Sequence, residues 1–359
     1  MKIRKELSST FMIANLLGTI LVIAIHYNSQ RYIDSSDGYN WNYLAQEFFT
    51  NGICRVSVPF FALISGFFIF SKVNNFDNWL GTVRKKVKTL VLPYVLGSLL
   101  IFIASLILKL ILWPDDFPSL TPYLVVRTIV ARPASVQFWF LRDLIILTIV
   151  SPAIFNLNKT ANFALGVVLA FLWLIDIQPF PVITDWYLIN IETLFYFWLG
   201  GQLYKQKCVL YAALEHRSLP KIEFLMLWFL LIWMRIVIDP SISTWYVKDY
   251  TIASLLIYKI GIVVGIISLI FLSEKLKDNK TLIYLSGLTT FAYLFHLVPL
   301  SYIRLFTGRI VSDEFLFYIN FPIATVLIFL LAYMVSTYCG SLYVVLTGGR
   351  NPNKALRRM

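Results

Sequence analysis

The stretch that decides the fold runs from Cys54 to Phe70 and reads CRVSVPFFALISGFFIF. After Arg55 it carries no charged side chain for 15 residues. A helix of that length rises ~22 Å, most of the way across a hydrocarbon core of ~30 Å. It is apolar on every face, which suits lipid or a membrane-embedded core better than a water-facing helix surface. Irregular backbone could not satisfy its polar groups in lipid, whereas a helix satisfies its own. The stretch is therefore read as a membrane span.

Similar runs recur on both sides of it. Spans are expected at Phe11 to Tyr27, Arg55 to Phe70, Leu90 to Leu112, Phe138 to Phe155 and Asn162 to Ile177. Further ones are expected at Asn190 to Tyr204, Ile222 to Ile238, Ile252 to Leu272, Leu282 to Ile303 and Phe315 to Val345. The last is too long for one straight crossing and is expected to tilt or to continue along the cytoplasmic surface. With 58% of its 359 residues hydrophobic, the chain holds more apolar side chain than one water-soluble core could hide. The fold class is an all-α integral membrane protein of about ten transmembrane helices, organised as a single domain over residues 1–359.

Charge position sets the topology. Of the 31 Lys and Arg residues, 20 fall on connections on the side of the N-terminus and 7 on the opposite connections, the rest lying within spans. By the positive-inside rule both termini are cytoplasmic. The net charge of +12 thus reports topology, and nucleic acid is not an expected partner. No small-residue cleavage site follows the first apolar run, so it is expected to stay as the first helix. Ser71 to Thr89 forms the main cytoplasmic loop, while Asn28 to Cys54 and Trp113 to Gln137 form a structured lip on the other face. Cys54, Cys208 and Cys339 lack metal-ligand spacing, and no metal site is expected.

Ionisable groups inside spans are costly, so each calls for a partner or a water-filled cavity. Counting along the helices places His26, Arg55, Arg142, Asp143, Asp176, Glu192, Arg235 and His296 in the outer half of the membrane, where one layer could hold them all. Two histidines, several acids and several arginines suit acid–base chemistry and oxyanion stabilisation. Bland readings stand beside this one. The histidines can simply pack, Arg142 with Asp143 can be a structural pair, and Glu192 can neutralise Arg142 or Arg235. Lys109 snorkels and Lys259 sits alone at mid-depth, so neither is expected in the site.

At this level of detail the chain resembles the membrane-bound acyltransferase family 3, whose members O-acetylate surface glycans and lipid-linked sugars. The resemblance rests on LVIAIHYNS in the first helix, on CRVSVPFFALISGFFIF, and then on RKKVKTLVLPY, FWFLRDLIIL, FYFWLGGQLY and FAYLFHLVP in order. It implies an O-acetyltransferase of the bacterial inner membrane, with cytoplasmic acetyl-coenzyme A (acetyl-CoA) as donor and a glycan or glycolipid at the outer leaflet as acceptor. His26 would then act as base, with Arg55 or Arg142 at the oxyanion and His296, Glu192 and Asp143 in support. In a covalent relay, His26 or Ser65 would carry the acyl group.

The run Arg84, Lys85, Lys86 and Lys88 that ends the main cytoplasmic loop reads either as a topology determinant beside anionic lipid or as a docking surface for a polyanionic ligand such as coenzyme A. Two positions differ from the family pattern. An Arg usually stands eleven residues before the first-helix His, where this chain has Asn15. The basic pair entering the third helix is read here either as Lys85 with Lys88 or as Lys86 with Thr89. A transporter or flippase of lipid-linked sugars is the rival reading, followed by a non-catalytic sensor or subunit of a glycan-export complex. A homo-oligomer is compatible with the sequence.

Overall fold

The computed structural model describes residues 5–28, 40–73, 76–112, 114–131, 133, 135–179, 182–183, 186–187, 189–215, 221–244 and 248–353. Basic residues counted for topology at positions 2, 4, 31, 132, 217, 354, 357 and 358, and the part of the lip at 29–39, lie outside these. Apart from a hairpin of two-residue strands, Val182–Ile183 with Trp186–Tyr187, the regular structure is helical. In chain order the helices are α1 (Lys5–His26), α2 (Trp41–Phe70), α3 (Phe76–Ile111), α4 (Val136–Phe155), α5 (Lys159–Leu174), α6 (Ile191–Lys205) and α7 (Lys207–Glu215). They continue with α8 (Lys221–Ile238), α9 (Ile252–Leu276), α10 (Lys280–Ser286), α11 (Thr289–Phe295), α12 (Leu297–Thr307), α13 (Asp313–Tyr338) and α14 (Gly340–Leu346).

Six of these, α1, α2, α3, α4, α9 and α13, are long and apolar enough to cross a membrane. The protein is an all-α membrane protein. Every expected span coincides with helix, but α5 and α6 are short for a straight crossing. The span expected at Leu282 to Ile303 is broken into α10, α11 and α12, with His296 at the second break. The long last run breaks at Cys339 (φ −126°, ψ 47°) into α13 and α14.

Two expected connections are largely helical, and a third, Trp113 to Gln137, holds a short helix at Pro122–Val126 that continues as a π-helical turn through Arg127–Ala131. The region before Arg55 joins the decisive stretch in one 30-residue rod that starts at Trp41, with Asn40 Oδ1 capping Tyr43 N–H at 2.8 Å. It reads as a polar loop because its polar side chains, Gln46, Glu47, Thr50 and Asn51, face protein and are buried, while Trp41 is exposed. Most of the Ser71 to Thr89 loop is likewise the start of α3. That helix contains a π-helical turn at Val87–Val91, just ahead of Pro93, whose missing N–H and bulky ring disturb the bonding to residue 89. At 36 residues α3 spans about 54 Å, so its basic first turns project beyond the hydrocarbon.

The helices that carry the site are held in backbone contact. A Cβ on Gly66 of α2 would stand 1.9 Å from the Phe197 carbonyl oxygen of α6, and one on Gly200 would stand 1.9 Å from the Leu63 carbonyl oxygen. Only hydrogen fits at these two positions. Small residues let membrane helices approach closely enough for dispersion contacts to hold them together. α9 begins with a capping box, Thr251 Oγ1 accepting from Ser254 N–H at 3.1 Å and Ser254 Oγ from Thr251 N–H at 3.0 Å.

Candidate active site

A cavity of about 250 Å³ opens between α1, α2, α4, α6 and α9. His26, the last residue of α1, is half-buried and lines it, as do Arg55, Arg142 and Glu192 and the buried Asp143 and Asp176. Six of the eight residues expected in one polar layer therefore meet. Arg235 and His296 do not line this cavity. Arg235 is buried and donates to Glu47 Oε1 at 2.5 Å, while His296 is buried against His26, ring centroids 5.1 Å apart.

Arg55 is positioned by a chain of polar contacts along one helix face. Its Nε donates to Asn51 Oδ1 at 2.7 Å, and Asn51 Nδ2 donates to Glu47 Oε1 at 2.7 Å. The same Glu47 oxygen accepts from Arg235. Each link is four residues from the next, although a π-helical turn at Glu47–Gly52 and a 3₁₀ turn at Ile53–Val56 intervene. Asn51 also donates to the Ile242 carbonyl at 2.9 Å, which ties the α8–α9 connection to α2. Arg55 forms no ion pair among the described residues, so its terminal amino groups remain for a ligand. Glu47 and Asn51 were missed in the sequence because they lie in the region read as a lip.

Asp143 is fully buried and accepts the Asn190 backbone N–H at 2.9 Å through Oδ2. Its Oδ1 is 3.6 Å from Arg142 Nη2. Asn190 in turn caps α6, accepting from Glu192 N–H at 2.8 Å. Asp143 thus fixes the start of the helix that carries Glu192, and the structural reading of the Arg142–Asp143 pair holds alongside its place in the cavity wall.

Two expectations are corrected. Lys259 is not alone: it is buried, lines the cavity, and lies 3.3 Å from Asp176 Oδ1 and 3.7 Å from Glu192 Oε2. Glu192 therefore neutralises Lys259 rather than Arg142 or Arg235, and it also accepts from Trp173 Nε1 at 3.1 Å. Asp176 adopts a left-handed backbone (φ 55°), sparsely populated for a residue with a side chain and of a kind that concentrates at functional sites. Lys248 donates to its carbonyl. The charged lining is balanced, Arg55, Arg142 and Lys259 against Asp143, Asp176 and Glu192, which suits a polar but uncharged occupant.

A second cavity, also about 250 Å³, lies toward the other end of α1 and is lined by Asn15, Ser65, Lys86, Thr89, Thr289 and Arg350 among others. Asn15 donates to Thr289 Oγ1 at 2.8 Å. Of the basic run entering α3, Lys86 lines this space, whereas Arg84, Lys85 and Lys88 are exposed and do not. Phe140 and Tyr293 line both cavities. With Phe61 they form a partition of three rings whose centroids are 6.1 to 6.5 Å apart. Among the described residues no group of His, Cys, Asp and Glu could hold a metal ion.

The helical bundle thus holds two cavities that meet at Phe140 and Tyr293, with His26 and Arg55 on one of them. Compared with known families, the chain matches the acyltransferase domain, acyltransferase family 3, over residues 16–345, and it belongs to that family. No curated protein and no solved structure matches it. The protein is a membrane acyltransferase.

Proposed function

We propose that the protein is an O-acetyltransferase of a bacterial inner membrane, transferring an acetyl group from cytoplasmic acetyl-CoA to a hydroxyl of a glycan or lipid-linked sugar at the outer face. In this reading about ten segments cross the membrane, and both termini are cytoplasmic. The observation that carries it is the pair of cavities that abut at Phe140 and Tyr293. Lys86 and Asn15 line one, where a phosphorylated donor would enter, and His26 and Arg55 line the other, where the acceptor would lie.

His26 takes the proton from the acceptor hydroxyl as its oxygen attacks the thioester carbonyl. Arg55, held through Nε by Asn51, offers its remaining N–H groups to the oxyanion as it forms. Collapse of that intermediate expels the coenzyme A thiolate, and the proton on His26 is returned to it. Lys259, Asp176 and Glu192 at the far side of the cavity hold the acceptor through hydroxyl hydrogen bonds.

The test is release of free coenzyme A by purified protein supplied with acetyl-CoA and lipid-linked glycan, together with a mass gain of about 42 Da on the acceptor for each acetyl group. A protein that moves acceptor across vesicle membranes without releasing coenzyme A would sink the enzyme reading and leave the transporter. Inactivity in both assays would leave the subunit role.

A further inference from the structure

We propose that Arg350 belongs to the donor site: it supplies, from the C-terminal segment, the second cation that Thr89 cannot provide at the entry to α3, and it binds a phosphate of the donor. This rests on the donor reading above and names a residue for it.

The placement is built into the backbone. Among the described residues, Gly348 (φ 68°) and Gly349 (φ 87°) are the two glycines in the left-handed region, a conformation in which other residues are strained. Their turn carries the chain back over α3. A Cβ on Gly348 would stand 2.5 Å from Thr89 Cα and 2.7 Å from its carbonyl oxygen, so the C-terminal segment touches α3 at residue 89 itself. Side-chain and backbone bonds fix the segment on both sides of the turn. Tyr343 donates to the Gly287 carbonyl at 2.8 Å, Thr347 to the Tyr343 carbonyl at 2.7 Å, and Arg350 Nη1 to the Thr347 carbonyl at 2.9 Å. Beyond it, Pro352 packs on Gly287, where a Cβ would be 2.5 Å from Pro352 Cα.

Arg350 consequently lines the same cavity as Lys86 and Thr89, although it is 261 positions from Thr89 in sequence. Lys86 alone offers a point charge. A guanidinium adds a planar fork that meets two oxygens of one phosphate, and such pairs are among the stronger hydrogen bonds a protein makes. Two cations in a cavity otherwise lined by apolar side chains such as Phe61, Ile64, Phe68, Leu90 and Leu141 match a ligand with a phosphorylated head and a slender, less polar arm.

An arginine at a membrane surface can instead hold an anionic lipid headgroup, so the experiment separates the two sources of phosphate. Full-length protein in neutral detergent is titrated with coenzyme A at low and high salt. Arg350→Gln is expected to weaken binding about tenfold, as loss of one charge-assisted contact would, and to make the affinity less sensitive to salt. Gly348→Ala should reproduce this loss while leaving Arg350 in the sequence. Adding Thr89→Arg to Arg350→Gln should restore binding, and pantetheine, which has no phosphate, should bind all variants alike. Equal affinity of wild type and Arg350→Gln for coenzyme A overturns the inference and leaves the donor reading intact. So does an Arg350→Gln defect seen only as weaker association with phosphatidylglycerol. Wild-type protein that binds no coenzyme A overturns both.

Discussion

The imidazoles of His26 and His296 lie 5.1 Å apart, centroid to centroid, with their planes tilted by 38°, yet their surroundings differ. His26 is half-buried and lines the cavity shared with Arg55, Arg142 and Glu192. His296 is fully buried, with Nδ1 2.9 Å from the Tyr293 carbonyl oxygen, and its own carbonyl accepts from Tyr27 Oη at 2.8 Å. A carbonyl only accepts, so in that contact the His296 proton sits on Nδ1 and Nε2 carries a lone pair. One histidine faces the cavity and the other packs behind it.

The two should therefore respond differently to the same truncation. His26→Ala and His26→Gln should reduce acetyl transfer by about 10² to 10⁴ with little change in thermal stability. His296→Ala leaves the Tyr293 carbonyl without its donor and should lower stability by about 1–3 kcal/mol, visible as a lower melting temperature. If His26→Ala keeps more than roughly a tenth of wild-type transfer, a base of that strength is excluded and the assignment moves to His296, Glu192 or Asp143.

The Glu47–Arg235 pair allows stability and positioning to be measured apart. Both side chains are buried, and removing one leaves a charge with no counterion. Glu47→Leu alone should thus destabilise the protein by about 3–5 kcal/mol. Glu47→Leu with Arg235→Met removes both charges and should regain most of that loss in a thermal melt. Activity should return only in part, because Asn51 has lost one of the two acceptors that hold it against Arg55, the Ile242 carbonyl remaining. Full recovery of turnover in the double variant would show that Arg55 needs no such support.

Much of the fold was legible because uniform apolarity identifies a membrane-embedded helix without knowledge of its neighbours, as at Cys54 to Phe70, which lies inside the bundle with no exposed residue. Helices that bury polar faces against protein were not. Gln46, Glu47, Thr50 and Asn51 look solvated in sequence, and only the folded chain shows Glu47 paired with Arg235, Asn51 bonded to the Ile242 carbonyl and Gln46 to the Glu314 carbonyl. Depth counting gathered His26, Arg55, Arg142, Asp143, Asp176 and Glu192, since depth follows from position along a helix. It could not say which way each helix faces, and so it also admitted Arg235. Lys259 carried a usable signal: a cation in mid-span demands an anion. Its partners are far off in sequence, Asp176 by 83 positions. Arg350 left no mark beyond the paired glycines before it.

Topology follows from charge and can be checked directly. Reporters placed after residue 353 and just before Phe76 should both be cytoplasmic, and one placed between Pro114 and Ser135 should be outside. An external C-terminus would mean an odd number of crossings and would put the donor cavity, which Arg350 lines, on the wrong side of the membrane for cytoplasmic acetyl-CoA.

The ring partition makes a claim about coupling. Phe61, Phe140 and Tyr293 separate the two cavities, and Tyr293 is held in place by its hydroxyl, which donates to the Gln137 carbonyl at 2.6 Å. For acetyl to reach an acceptor beside His26, the donor arm must displace these rings, and once displaced they exclude water from the thioester. Tyr293→Phe removes only the tether, so the protein should stay folded while the partition loosens. Phe140→Leu shortens the partition without emptying the site as an alanine would, which for a buried Phe costs about 3–5 kcal/mol. Both variants should release coenzyme A faster in the absence of acceptor and should form fewer acetylated products per coenzyme A released. Truncation that merely damaged packing would lower both rates together and leave their ratio unchanged. A ratio equal to wild type in both variants would mean that the rings fill space and do not separate donor from acceptor.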